Sequence, residues 1–151
     1  MKITDKLTIT NEDCMELMKR YPDNHFELAV IDPPYGINIT SSGSHFKEKY
    51  DIKNWDTKTP SKEFFDELFR VSQNQIIWGG NYFLEHIGNC KCFIIWDKKI
   101  AEDMSFAMCE MAWTSFISGA KIYKTTANQL SRIHPTQKPV ELYKWILRKY
   151  G

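Results

Sequence analysis

Apolar residues along this chain fall in short dense runs separated by polar turns. Phe26-Glu27-Leu28-Ala29-Val30-Ile31 is the first such run, and Asp32 ends it. Gln75-Ile76-Ile77-Trp78 and Cys92-Phe93-Ile94-Ile95-Trp96 are two more, ended by Gly79-Gly80 and by Asp97. Runs this short, rich in β-branched and aromatic residues and bounded by turn residues, predict buried strands. Between them the apolar period changes to that of a helix. Cys14, Leu17 and Met18 repeat at helical spacing up to Tyr21, behind a capping candidate in Asn11-Glu12-Asp13, and Pro22-Asp23-Asn24 closes the helix. Pro60-Ser61 opens a second helix with Phe64, Phe65, Leu68 and Phe69 on one face. A short helix is expected over 81–87. Pro139 opens a last one, with Val140, Leu142, Trp145 and Ile146 inward. Residues 3–10 alternate weakly and suit a short strand or hairpin. Residues 104–117 read as a short helix followed by a strand over 112–117, and 118–133 are polar with no clear period.

Alternation of strand and helix predicts an α/β domain with a largely parallel sheet. The strands end in Asp32, in Gly79-Gly80-Asn81 and in Asp97. Those ends are expected to line one crevice, where open α/β sheets bind ligands.

At 151 residues the chain is one domain on size grounds, 1–151. Its net charge of +1 creates no bulk demand for nucleic acid, so any such site must be a local patch. Five Trp, seven Tyr and nine Phe provide rings for stacking, although most should be core. Four Cys without a C-x-x-C pair, behind an N-terminus with no apolar leader, predict reduced thiols and a cytoplasmic location. Cys90-Lys91-Cys92 has a one-residue gap and not the C-x-x-C spacing of a metal site, and no metal site is expected. No run approaches the ~18 apolar residues of a membrane span, so no membrane partner is expected.

The string Asp32-Pro33-Pro34-Tyr35-Gly36 carries the strongest chemical signal. Each proline fixes φ and lacks a donor, which stops the strand and leaves Asp32 extended at its carboxyl end. The Asp32 carboxylate and the Pro33 carbonyl can both accept hydrogen bonds from an exocyclic amine, and the Tyr35 ring can stack on the ring that bears it. Such an amine is a poor nucleophile, because its lone pair is delocalised. Two acceptors on its hydrogens favour a pyramidal, more reactive nitrogen, and a stacked ring is held for attack by positioning. A second string, His134-Pro135-Thr136-Gln137-Lys138-Pro139, places polar groups and a cation just before a helix, where an anion can be received. Taken alone, a Pro-Pro dipeptide or a His-Pro turn is an ordinary surface turn. The pairing of the two strings points to a site.

Together they resemble the S-adenosylmethionine-dependent amino-methyltransferases that act on adenine N6 or cytosine N4 in DNA. The resemblance implies a Rossmann-like methyltransferase sheet and Asp32, Pro33, Pro34 and Tyr35 as the catalytic string. It implies cofactor contacts from Asp13, Asp32, His134, Thr136, Gln137 and Lys138. Asp13 matches the family's acid on the cofactor adenine, while Glu12 stands where a Gly is usual. Ile76 to Phe83 and Trp96-Asp97-Lys98 are similar to a phage and prophage branch. Asp in the first motif position leans toward adenine. Cytosine N4, RNA and a protein amide are the alternatives, with a non-catalytic nucleic-acid-binding remnant beside them. The target base must leave the duplex stack, which costs a few kcal/mol.

The motif order is similar to the beta class, in which a Gly-rich cofactor strand follows. No such string occurs here. The resemblance therefore implies an incomplete sheet whose first strand has an exposed apolar edge. It also implies a truncated form, or a homo-oligomer or partner that supplies strands. Double-stranded DNA is the expected substrate. Residues 36–60 are expected to be a mobile loop and 118–133 a short target-recognition segment. Lys121, Lys124, Arg132 and the lysines of 47–58 are available for phosphates.

Overall fold

A computed structural model describes residues 2–4, 7–38, 56–102, 107–126, 134 and 136–151. Strands β1 (Lys2–Thr4) and β2 (Leu7–Thr8) form a separate antiparallel pair. Helix α1 (Cys14–Met18) follows, capped by the Asp13 carboxylate, which accepts the Met15 N–H at 2.7 Å. It is shorter than its periodicity suggests, because the chain leaves the helix at Lys19, ahead of Pro22. Strand β3 (Phe26–Ile31) ends where expected.

Helix α2 (Lys62–Val71) buries Phe65, Leu68 and Val71 and runs without a loop into β4 (Ser72–Trp78). The Arg70 guanidinium donates to the carbonyls of Met18 and Tyr21 and to the carboxylates of Glu67 and Asp23. It thereby ties α2 to the open carbonyl end of α1. A 3-10 turn (Gly80–Tyr82), a single helical turn α3 (Leu84–Ile87), β5 (Phe93–Asp97), β6 (Cys109–Thr114), β7 (Lys121–Lys124) and α4 (Val140–Tyr150) complete the order.

The main sheet is a mixed five-stranded one in the order β3-β4-β6-β5-β7. β3 pairs with β4, and β5 with β7, in parallel. β6 is antiparallel to both of its neighbours. Four strands thus share one direction, and β6 alone is reversed. Its amino end therefore lies at the carboxyl ends of the others: Glu110 pairs with Trp96 and Ala112 with Trp78.

Alternating residues feed two cores. Ile77 and Trp113 pack with Met18, Phe65, Leu68, Val71, Phe83 and Ile87 on one face. Ile76, Trp78, Ile94, Trp96 and Ala112 pack with Leu142 and Ile146 of α4 on the other. The result is an α/β domain with helices on both faces of a mixed sheet. Among the described residues nothing pairs with the outer edge of β3, and none of its residues is fully buried. No helix among the described residues is long and apolar enough to cross a membrane.

Three local expectations need correction. The strand expected over 112–117 lies three residues earlier, at Cys109–Thr114, because its polar start, Glu110, pairs across to β5. The stretch 118–133 holds strand β7, whose two apolar residues were too few to show a period; Tyr123 packs on Trp145 with ring centroids 5.1 Å apart. Val140 opens α4 facing outward, 57% exposed, while Leu142 and Ile146 carry the burial. The greater part of the expected 36–60 loop, residues 39–55, lies outside the described residues. So do 103–106 and, in the expected recognition segment, 127–133 with Arg132.

Candidate functional site

The β3–β4 register sets Ile31 beside Ile77, so Asp32 and Gly79 emerge together at the carboxyl ends of neighbouring parallel strands. A cavity of about 320 Å³ opens there. Small-molecule sites span roughly 300–1,000 Å³, so it is large enough for one flat ring and its substituents. Asp32, Pro33, Tyr35, Gly79, Asn81, Tyr82, Lys98, Glu110, Thr136 and Lys138 all contribute to its walls. Asp97 does not. Its carboxylate accepts the Lys99 N–H at 2.9 Å, and its neighbour Lys98 reaches the cavity instead.

The turn after β3 is pinned from below. Asp56 is 2% exposed, and its carboxylate accepts the N–H of Tyr35 at 2.7 Å and of Gly36 at 2.8 Å. Two charge-assisted bonds from adjacent amides fix the direction in which Tyr35 leaves the backbone. The Tyr35 ring stacks on Tyr82, centroids 5.1 Å apart and planes 18° from parallel, and meets Phe83 edge-on. Gly79 has φ +69°, and a Cβ there would overlap the edge of the Tyr35 ring. Both its conformation and its closeness require glycine. A Cβ at Gly80 would in turn strike Trp113, so both glycines of the pair have a physical reason.

A chain of charges gathers at the hydroxyl end of Tyr35. The Lys138 ammonium sits 2.7 Å from each Asp32 oxygen, 3.0 Å from Glu110 Oε2 and 3.1 Å from the Tyr35 hydroxyl. Its side chain is only 2% exposed. The Tyr35 hydroxyl donates to Asp32 Oδ1 at 2.8 Å and reaches Glu110 Oε2 at 3.3 Å. Lys98 pairs with Glu110 Oε1 at 2.8 Å. Burial pushes the Glu110 carboxyl up, but Lys138 and Lys98 outweigh it and hold it below the usual range. Burial first, then the Asp32 and Glu110 charges, push the Tyr35 phenol far up, so it stays a donor at any ordinary pH. The Lys138 ammonium also lies 5.2 Å from the Trp78 ring centroid.

Asp32, Pro33, Tyr35, Thr136 and Lys138 are brought together from two distant strings. Pro34 follows in the same turn and does not line the cavity. His134 is exposed, with Nδ1 3.1 Å from Thr136 Oγ1, while the Gln137 N–H donates to the His134 carbonyl at 3.1 Å. Neither reaches the cavity wall, nor does Asp13, whose observed contact is the α1 cap. Pro135 lies outside the described residues. Lys138, expected at an anionic ligand, pairs with Asp32 and Glu110. Glu110, Lys98, Asp56 and Tyr82 were not foreseen. Among the described residues no group of three or more His, Cys, Asp or Glu is arranged to hold a metal ion. No protein-family model matches the chain, and no curated protein matches it.

Proposed function

We propose that this chain holds the amine-bearing ring of a flipped nucleobase, most plainly adenine, as the base-binding part of an S-adenosylmethionine-dependent DNA amino-methyltransferase. One observation carries the reading. Asp32, with Pro33 and Tyr35, stands at the carboxyl end of β3 inside a cavity that also presents an aromatic pair. The finer fold reading, a Rossmann-like methyltransferase sheet, is supported by the shared direction of β3, β4 and β5 and by the open edge of β3 beside Asp32. Double-stranded DNA is the proposed substrate. Lys121 and Lys124 of β7 offer charge for its backbone, at the far edge of the sheet from β3.

The chemistry assigned to these residues is confined to the base. The Asp32 carboxylate and the Pro33 carbonyl accept the two amine hydrogens and draw the nitrogen toward a pyramidal, nucleophilic form. Tyr35 and Tyr82 supply ring faces that set its angle. The methyl donor is a different matter. The acids lining the cavity are Asp32, Asp56 and Glu110, and each already accepts from protein donors. None is spare for a ribose diol, and Lys138 is already neutralised. The described residues that line the cavity are those that fit the base, and no step is assigned to S-adenosylmethionine.

That same observation favours a second reading, a nucleic-acid-binding module that performs no transfer. Mass spectrometry of nucleosides from the DNA of cells producing the protein separates the two. N6-methyladenine above the host background, lost in Asp32→Ala, is expected for the methyltransferase. N4-methylcytosine would change the base and keep the class. DNA without any added methyl group, from wild type and variant alike, would leave only the binding module.

A further inference from the structure

We propose that Glu110 is a positioning residue that receives the Lys138 ammonium when an incoming amine takes the Asp32 carboxylate. The inference rests on the base-holding part of the function proposed above.

An ionised carboxylate offers about four acceptor positions. At Asp32 two are taken by Lys138 and one by the Tyr35 hydroxyl. The ammonium also neutralises the charge that would attract the amine hydrogens. As it stands, Asp32 is a poor acceptor for a substrate. Lys138 must loosen its hold, yet its side chain is 2% exposed, and a buried ammonium without a counter-ion is strongly disfavoured.

Glu110 removes that difficulty. Its Oε2 is already 3.0 Å from the Lys138 ammonium, so the cation can shift its weight from one carboxylate to the other without a large movement. Lys98 holds the other oxygen at 2.8 Å, which keeps Glu110 charged and aimed. The Tyr35 hydroxyl stands between the two carboxylates, 2.8 Å from one and 3.3 Å from the other, and can follow the same exchange. The reversal of β6 places Glu110 there, since a strand in the common direction would bring its carboxyl end to the crevice instead.

Adenosine and inosine form a suitable pair of probes, because one bears the amine and the other an oxygen. Both are titrated into the full chain and followed by amide and Lys Nζ chemical shifts. Wild type should prefer adenosine. Glu110→Gln leaves Lys138 with Asp32 as its only full counter-charge. It should weaken adenosine about tenfold, the scale of one charge-assisted hydrogen bond, and leave inosine unchanged. Removing the blocking cation as well, in Glu110→Gln/Lys138→Met, should restore the preference. A merely structural role predicts no such rescue. An unchanged preference in Glu110→Gln overturns the proposal, as does equal weakening of both nucleosides or a double variant no better than the single. If wild type itself binds the two nucleosides alike, the base-holding reading fails first and takes this one with it.

Discussion

The two walls of the cavity are built by opposite means. The aromatic wall is held by shape. Tyr35, Tyr82 and Phe83 lean on one another, and the Tyr35 ring fills the space a side chain at Gly79 would need. The charged wall is held by pairing. Asp32, Lys138, Glu110 and Lys98 alternate in sign, and each cation touches a carboxylate within 3.0 Å. Shape is fixed at folding and changes only by moving backbone. Paired charges can be redistributed by small shifts of a side-chain tip. The first wall therefore suits orienting a ring, and the second suits exchanging one polar partner for another.

Gly79→Ala is the most direct way to break the aromatic wall. Alanine at φ +69° is strained by about 1–2 kcal/mol. Its Cβ would also overlap the Tyr35 ring, and overpacking typically costs about 1–3 kcal/mol more. Together a loss of about 3 kcal/mol is expected in urea-unfolding free energy, read as a lower midpoint at unchanged slope. A variant as stable as wild type would mean that Tyr35 is not held by the Gly79 backbone.

Tyr35→Phe probes the seam between the walls, because the ring belongs to one and the hydroxyl to the other. The ring should stay stacked on Tyr82. What is lost is the donor to Asp32 and the acceptor for Lys138, a neutral-to-charged contact worth about 1–2 kcal/mol. A change of that size in unfolding free energy, with the ring-current shifts of the Tyr82 and Phe83 protons unaltered, would show the walls to be separable. Loss of those ring-current shifts as well would show that the charges orient the ring.

How far each wall was legible in sequence follows from the same contrast. Asp32, Pro33 and Tyr35 fall within four residues behind an apolar run, and Gly79-Gly80 ends another, so local chemistry was enough to find them. Lys138 was located by its own string, but its partners are 106 and 28 residues away in sequence. No local pattern announces that a cation preceding α4 will face the turn after β3. Glu110 was hidden twice over. It lies in a stretch of mixed helix and strand signals, and its placement depends on β6 running against its neighbours. Asp56 stands in polar sequence beside residues outside the described set, and only its burial marks it. Asp13, by contrast, was found as a capping candidate, and the cap is what its carboxylate makes.

The smallest expected effect concerns acid and tests whether the charged wall contributes to stability at all. Glu110 has a folded pKa held below its ordinary value of 4.5: burial opposes this, and Lys138 with Lys98 outweighs burial. A carboxyl depressed in the folded state binds a proton more readily once unfolded. Its contribution is therefore complete above about pH 4.5 and is lost as pH falls through the folded pKa. The side chain is 22% exposed, so the contribution should not exceed about 1 kcal/mol, the upper range for a partly solvated pair. The measurement is a difference of differences: unfolding free energy of wild type minus Glu110→Gln, at pH 7 and at pH 3.5. The gap should favour wild type at pH 7 and shrink at pH 3.5, below the ordinary value of 4.5, where the unfolded carboxyl binds a proton and the unfolded state is favoured. A gap independent of pH would mean that Glu110 acts by packing and that its two lysines confer no net stability. In that event the charged wall would serve ligand exchange alone, at no benefit to the fold.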